Sequence, residues 1–222
     1  MITLRRLLLA LLLAVFSLLV YRDFSAEEAH VPTVSTLDIK KVAHGLQQPW
    51  ALVFLPDGKM LVTEKPGRMR LVDAEGNLSA PLAGVPHVAY KGQGGLLDVV
   101  LDPQFSKTHR IYFSYSEPRA DSANGTTVAY AELAQDRIEN LKIIFRQQPA
   151  MKSENHFGSR LAFATDGNLF ITVGERNIGM QKAQTLDNDL GKVVRVTREG
   201  GIPAGNPFIG HKDARPELWS YG

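Results

Sequence analysis

Three short clusters carry side chains that packing alone does not require. Ser153-Glu154-Asn155-His156-Phe157-Gly158-Ser159-Arg160 places a histidine just before an apolar run. Histidine is the side chain whose unperturbed pKa lies nearest neutrality, so it suits a general base that takes a proton from an alcohol. Asn155 and Arg160 could orient that base or bind an anionic group. The plainer reading is a surface or capping histidine. In Gly92-Gln93-Gly94-Gly95-Leu96-Leu97, three glycines surround one amide. They let the backbone turn tightly or approach a ligand closely while Gln93 presents a donor and an acceptor; the alternative is a simple turn into the strand. Gly174-Glu175-Arg176-Asn177 ends another apolar run with charged groups, as a ligand contact or as a solvated loop.

Other chemistries lose support. The chain has no Gly-x-x-x-x-Gly-Lys-Ser/Thr loop, no His-Glu-x-x-His and no Gly-x-Ser-x-Gly. Gly92–Gly95 is no dinucleotide fingerprint, because no alternation of strand and helix surrounds it. Without cysteine there are no disulfides, thiolate metal sites or cysteine nucleophiles.

The elements that must position the clusters are short apolar runs broken by Gly, Pro, Asp and Asn, the pattern of an all-β domain. Candidate strands are Ala51–Leu55, Met60–Glu64, Met69–Val72, Leu97–Leu101, Ile111–Tyr115, Thr127–Glu132, Lys142–Arg146, Arg160–Ala164, Leu169–Val173 and Lys192–Val196. A short helical turn is expected at 183–190 and a loop at 118–125. The segment from Leu52 to Thr63, with Asp57-Gly58 at its centre, matches that from Leu161 to Thr172, with Asp166-Gly167. A looser copy runs from Val99 to Tyr112. Asp-Gly supplies the positive-φ positions of a tight hairpin turn. Recurring antiparallel units with their own turns predict the blades of a β-propeller, with a sandwich as the alternative. At roughly 40 to 50 residues per blade, residues 36–222 make about three to four blades. The pattern stops midway at Trp219-Ser-Tyr-Gly222, so the sequence is expected to be the N-terminal part of a longer propeller.

Composition fits an ordinary folded domain: 222 residues, 44% apolar and 22% charged. With 25 Lys+Arg against 23 Asp+Glu, the charge is too near balance for a nucleic-acid binder. Arg5 and Arg6 precede an uncharged apolar run at 7–20, the pattern of a secretory signal. As a helix that run rises about 21 Å, short of the roughly 30 Å hydrocarbon core. Residues 1–26 are therefore read as a signal peptide or N-terminal anchor, 27–35 as a linker, and the protein as exported to the periplasm. Contact with a membrane is expected only through the N-terminal segment.

At these clusters the sequence resembles the soluble quinoprotein sugar dehydrogenases, the glucose/sorbosone or aldose sugar dehydrogenase family. Five stretches in order carry the resemblance. They are Gly45-Leu-Gln-Gln-Pro-Trp50-Ala-Leu, with Pro56-Asp-Gly and Thr63-Glu64; Gly92 to Leu97, with Asp102-Pro103-Gln104-Phe105; His156-Phe-Gly-Ser-Arg160-Leu; Gly191-Lys-Val-Val-Arg195; and Gly201-Ile-Pro203, with Asn206-Pro207. The resemblance implies a propeller that is six-bladed when complete and binds pyrroloquinoline quinone (PQQ) and calcium in a cleft. It implies that His156 takes the proton from the anomeric hydroxyl of an aldose, whose carbon-bound hydrogen leaves as hydride to the quinone. Gln93 matches the amide at substrate and cofactor, and Asn155, Arg160, Glu175 and Arg176 complete the expected binding set. Asn155 stands where some members have Asp, and an amide cannot strengthen the base by charge. The His-Arg-Asn and Gly-Pro segments that follow in the family, the latter holding calcium, lie beyond residue 222. Competing classes are a non-catalytic propeller that binds carbohydrate or protein, and a calcium-dependent lactonase, for which Glu64, Asp98 and Glu175 show no recognisable ligand spacing.

Overall fold

The structure is a computed structural model that describes residues 37–222. The expected signal or anchor at 1–26 and the linker at 27–35 lie outside the described residues. Strands form where β-branched and aromatic residues alternate between turns, and they gather into three antiparallel sheets. The first holds β1 (Pro49–Phe54), β2 (Met60–Glu64) and β3 (Arg68–Val72). The second holds β4 (Leu96–Leu101), β5 (Arg110–Pro118), β6 (Asn124–Leu133) and β7 (Ile138–Arg146). The third holds β8 (Gly158–Phe163), β9 (Leu169–Val173), β10 (Lys192–Val196) and β11 (Leu218–Tyr221). In each sheet strand order follows chain order, so each is a blade-like meander. Residues 78–82 run irregularly along β3: the Ser79 and Leu82 N–H groups donate to Leu71 and Met69 carbonyls at 2.8 and 2.9 Å.

The sheets stack face to face, and β5 shows why. Ile111, Phe113 and Tyr115 point into a core shared with Leu61, Met69, Leu96 and Val99, whereas Tyr112 points into a second core with Val128, Leu161, Ile171 and Val194. Alternate side chains of one strand thus enter two cores, as the two-residue period of a strand dictates. Burying both faces of the middle sheet gives it near-continuous apolar runs. The outer two sheets each leave apolar residues exposed, Leu52 and Phe54 on β1 and Trp219 and Tyr221 on β11.

The repeated hairpins are built alike, with one correction to the expected turn. In β1–β2, Leu55 N–H donates to the Lys59 carbonyl and Gly58 N–H to the Leu55 carbonyl. In β8–β9, Ala164 bonds to Asn168 and Gly167 to Ala164 in the same way. Only the glycine of each Asp-Gly pair has positive φ, 86° at Gly58 and 81° at Gly167. Each loop is therefore the three-residue kind that ends in a left-handed glycine. The aspartates work through their side chains: Asp57 accepts from Lys59 N–H at 3.1 Å and Asp166 from Asn168 N–H at 2.9 Å. In the looser copy the connection holds a helical turn, Phe105–Thr108.

Asp166 also links its turn to β10. The Asn168 N–H, and then the Arg195 guanidinium at 2.6 Å, hold its carboxyl down to about 2 from 3.8. A depressed folded-state pKa means that the stabilisation is present above about pH 4 and lost as pH falls toward 2. Thermal unfolding of wild type and Asp166→Asn, compared between about pH 5 and about pH 2, should show the larger acid loss in wild type. Equal losses would remove Asp166 as an acid-sensitive link.

Candidate active site

β4 packs against both β1 and β8, the first strands of the neighbouring sheets. The Gly92–Gly95 turn leads into β4, His156 precedes β8, and Glu175 follows β9, the antiparallel partner of β8. The three sequence clusters therefore meet at one end of adjoining strands. Gln93 N–H donates to the Glu154 carbonyl and the Gln93 side-chain oxygen accepts from His156 N–H, both at 2.8 Å. One amide thus fixes the backbone of the histidine loop through both its main chain and its side chain. Gly95 lets the turn sit this close. Its φ is +149°, and a Cβ there would lie 2.1 Å from the Lys65 carbonyl, which already accepts Leu96 N–H at 3.0 Å.

His156 Nδ1 is hydrogen-bonded to a Glu175 carboxylate oxygen that also accepts Asn177 N–H at 3.2 Å. Burial pushes the Glu175 carboxyl up, but the His156 contact and backbone N–H groups outweigh it and hold it below the ordinary carboxylate range. As a carboxylate it can only accept, so the proton of the neutral ring is assigned to Nδ1 and the lone pair to Nε2. Asn155 thus need not supply the acid: Glu175, expected to contact substrate or cofactor, supplies it from the other end of the hairpin. The imidazole is exposed, and neither its Nε2 nor the Gln93 Nε2 has a protein hydrogen-bond partner among the described residues.

The other three residues of the expected binding set sit differently. Arg176 is fully buried, and its guanidinium donates to the Asn155, Ser153 and Asn124 carbonyls and to the Asn124 side chain. It offers no surface to a ligand, and desolvation pulls it down to about 10. Arg160 is not joined to His156. It pairs with the buried Asp98 at 2.9 Å and lies over the Trp50 ring at 5.3 Å. Asp98 in turn accepts Leu161 N–H at 2.7 Å, tying β4 to β8; burial raises its pKa, opposed by that bond and by Arg160. Asn155 uses its backbone, with its N–H on Ser153 Oγ at 3.3 Å and its carbonyl on Arg176 Nε at 2.9 Å.

Lys65, absent from the expected set, donates from Nζ to the Gly92 carbonyl at 2.7 Å. Gly174, the first residue of the third cluster, matters through its backbone. A Cβ there would lie 2.1 Å from the His156 carbonyl, so only glycine lets the two halves of the dyad run side by side. Gly174→Ala should cost about 1–3 kcal/mol, the usual penalty for overpacking, and separate Glu175 from His156. Denaturant unfolding checks the first effect, and an unchanged midpoint would contradict it.

Blade-like sheets stacked face to face, with a histidine–carboxylate pair and a free amide at one loop end, are the architecture of part of a β-propeller. The comparisons make the class specific. A family profile described as Glucose / Sorbosone dehydrogenase matches residues 46–222. The aldose sugar dehydrogenase YliI of Escherichia coli (strain K12) is 48% identical over 191 residues, covering 85% of this chain and 51% of the relative. The structure of the soluble aldose sugar dehydrogenase from Escherichia coli in its apo form superposes with a TM-score of 0.80 at 47% identity, covering 82% of this chain and 53% of that one. That of the PQQ-bound aldose sugar dehydrogenase from Streptomyces coelicolor gives 0.71 at 30% identity, covering 83% and 53%. The chain belongs to the glucose/sorbosone dehydrogenase family. It spans about half the length of these relatives.

Proposed function

We propose that the full-length protein is a PQQ-dependent aldose dehydrogenase that oxidises the anomeric hydroxyl to the lactone, with His156 as its base. The observation that carries this reading is the His156–Glu175 pair held beside Gln93. Nε2 is placed to take the hydroxyl proton of the sugar, and Glu175 keeps the ring in the tautomer that can do so. As positive charge forms on the ring, the carboxylate provides its counter-ion. Gln93 fixes the loop through its oxygen and keeps its Nε2 free to donate to a sugar or cofactor oxygen.

The residues present fit a quinone in kind. The dyad can accept a proton but no electrons, so an oxidation at this site needs an acceptor group, and the free amide donor of Gln93 suits an oxygen of such a group. When bound, PQQ supplies the acceptor for the hydrogen that leaves the sugar carbon with its electron pair. Among the described residues no cluster of three or more His, Cys, Asp or Glu side chains could hold a metal. Calcium, implied beside the quinone by the resemblance, is proposed with backbone carbonyl ligands beyond residue 222. Export to the periplasm through residues 1–26 belongs to the same proposal, as does the 1–26, 27–35 and 36–222 division.

The test is an anaerobic titration of the full-length protein, reconstituted with PQQ and calcium, with a panel of aldoses. Reduction of the bound quinone in proportion to added sugar, with lactone as product, is expected. A quinone that binds but is reduced by no aldose would contradict the reading.

A further inference from the structure

We infer that Arg176 is the positioning residue of the base, a buried cation that sets where His156 stands without touching substrate or cofactor. The inference rests on the reading of His156 as the base. Arg176 is the largest fully buried side chain of the described residues, and no carboxylate among them pairs with it. Burying a cation without a counter-ion is expensive, so its contacts must account for the arginine.

Two of its side-chain hydrogen bonds go to the segment that leads into His156. Nε donates to the Asn155 carbonyl at 2.9 Å, and Nη2 to the Ser153 carbonyl at 2.6 Å. The remaining donors reach the start of β6, with Nη2 on Asn124 Oδ1 at 2.7 Å and Nη1 on the Asn124 carbonyl at 3.2 Å. The guanidinium lies 3.7 Å from the ring centroid of Phe157, the residue after His156. The backbone completes the clamp: Arg176 N–H donates to the His156 carbonyl at 3.3 Å, and its own carbonyl accepts Ser153 Oγ at 2.5 Å.

The clamp is needed because the loop is not in an easy conformation. His156 has φ +48°, and Arg176 and Asn177 both have φ +64°. Non-glycine residues in this region persist only when their surroundings hold them. A planar fork that binds two carbonyls of the loop and Asn124 at the start of β6 does so, and an ammonium on a flexible stem cannot satisfy the same set. Because Arg176 follows Glu175 directly, one residue fixes both the loop that carries the base and the strand end that carries its carboxylate.

The experiment uses the full-length protein with Arg176→Met, Arg176→Lys and Asn124→Ala. Each is checked for β structure and cooperative unfolding, then read by NMR for the hydrogen-bonded Nδ1 proton of His156, assigned by its loss in His156→Gln. For Arg176→Met and Arg176→Lys we expect that resonance to vanish. We expect kcat to fall about tenfold to hundredfold, as for a group displaced by about an ångström, with KM little changed. Asn124→Ala, which removes one bond and leaves the arginine, should show smaller changes in the same direction, and it decides the matter if the arginine variants do not fold. An intact resonance with unchanged kcat in Arg176→Met would overturn the inference. So would a raised KM at constant kcat, which is the mark of direct contact with substrate, or an Asn124→Ala indistinguishable from wild type where the arginine variants fail to fold. The resonance reports on the clamp even if no aldose is oxidised, so failure of the proposed reaction and failure of the clamp are separable.

Discussion

His156→Ala in the full-length protein is expected to lower kcat for aldose oxidation by about 10²- to 10⁴-fold, the range contributed by a positioned general base, with quinone binding largely retained. The reasoning is local. Nδ1 is occupied by Glu175, Nε2 has no protein hydrogen-bond partner among the described residues, and Gln93 is an amide that cannot take the proton. Loss of the imidazole leaves a methyl group on a loop that Gln93 and Arg176 still hold through its backbone. The defect should therefore appear in turnover rather than in folding. Steady-state dye reduction measures it, and unchanged turnover would remove His156 from the chemistry.

Glu175→Gln should be almost as damaging, with an expected loss of about 10²- to 10⁴-fold, because it acts on the tautomer. The carboxylate compels Nδ1 to carry the ring proton, whereas an amide can turn its own N–H toward Nδ1 and move that proton to Nε2. A ring protonated at Nε2 cannot take one there. The His156 contact and the backbone N–H groups keep Glu175 ionised below the ordinary carboxylate range, despite its burial. Its contribution should thus be constant over about pH 6 to 8. The ratio of wild-type to Glu175→Gln rates measured across that range checks both points. A ratio near one, or one that climbs steeply with pH, would contradict the assignment.

Much of the fold is legible in the residues, for reasons that can be named. The expected strands recur within a few residues of their ends, because β1, β2, β8 and β9 are bounded by turns whose aspartate and glycine have fixed tasks. β11 escaped because Leu218–Tyr221 is four residues long, and its pairing with β10 shifts register at Val193/Val194. The helical turn expected at 183–190 falls instead as a 3-10 turn at Met180–Gln184. Lys192 Nζ draws in the Lys182, Ala183 and Leu190 carbonyls at 2.9, 2.8 and 2.6 Å, and no local pattern announces such a contact.

In the site, His156 and Gln93 could be singled out by type and by neighbouring glycines, but their partners depend on distance in the chain. Glu175 lies nineteen positions from His156, and only the β8–β9 pairing, Gly158 opposite Val173, makes them neighbours. The repeated hairpin held that signal, since the residue before its first strand must lie beside the residue after its second. Arg176 could not be told from a surface arginine, because its acceptors are backbone carbonyls, which carry no mark in a sequence. Arg160 shares the His156 cluster in sequence, but its side chain lies toward Asp98 and Trp50 rather than toward His156.

The most direct measurement is the rate of dye reduction by the PQQ- and calcium-loaded full-length protein with an aldose carrying protium or deuterium at its anomeric carbon. Lactone formation, slowed by deuterium in the wild type and lost in His156→Ala, is the predicted result. Sugar binding with no lactone and no dye reduction would contradict the dehydrogenase reading and leave the propeller as a binding protein.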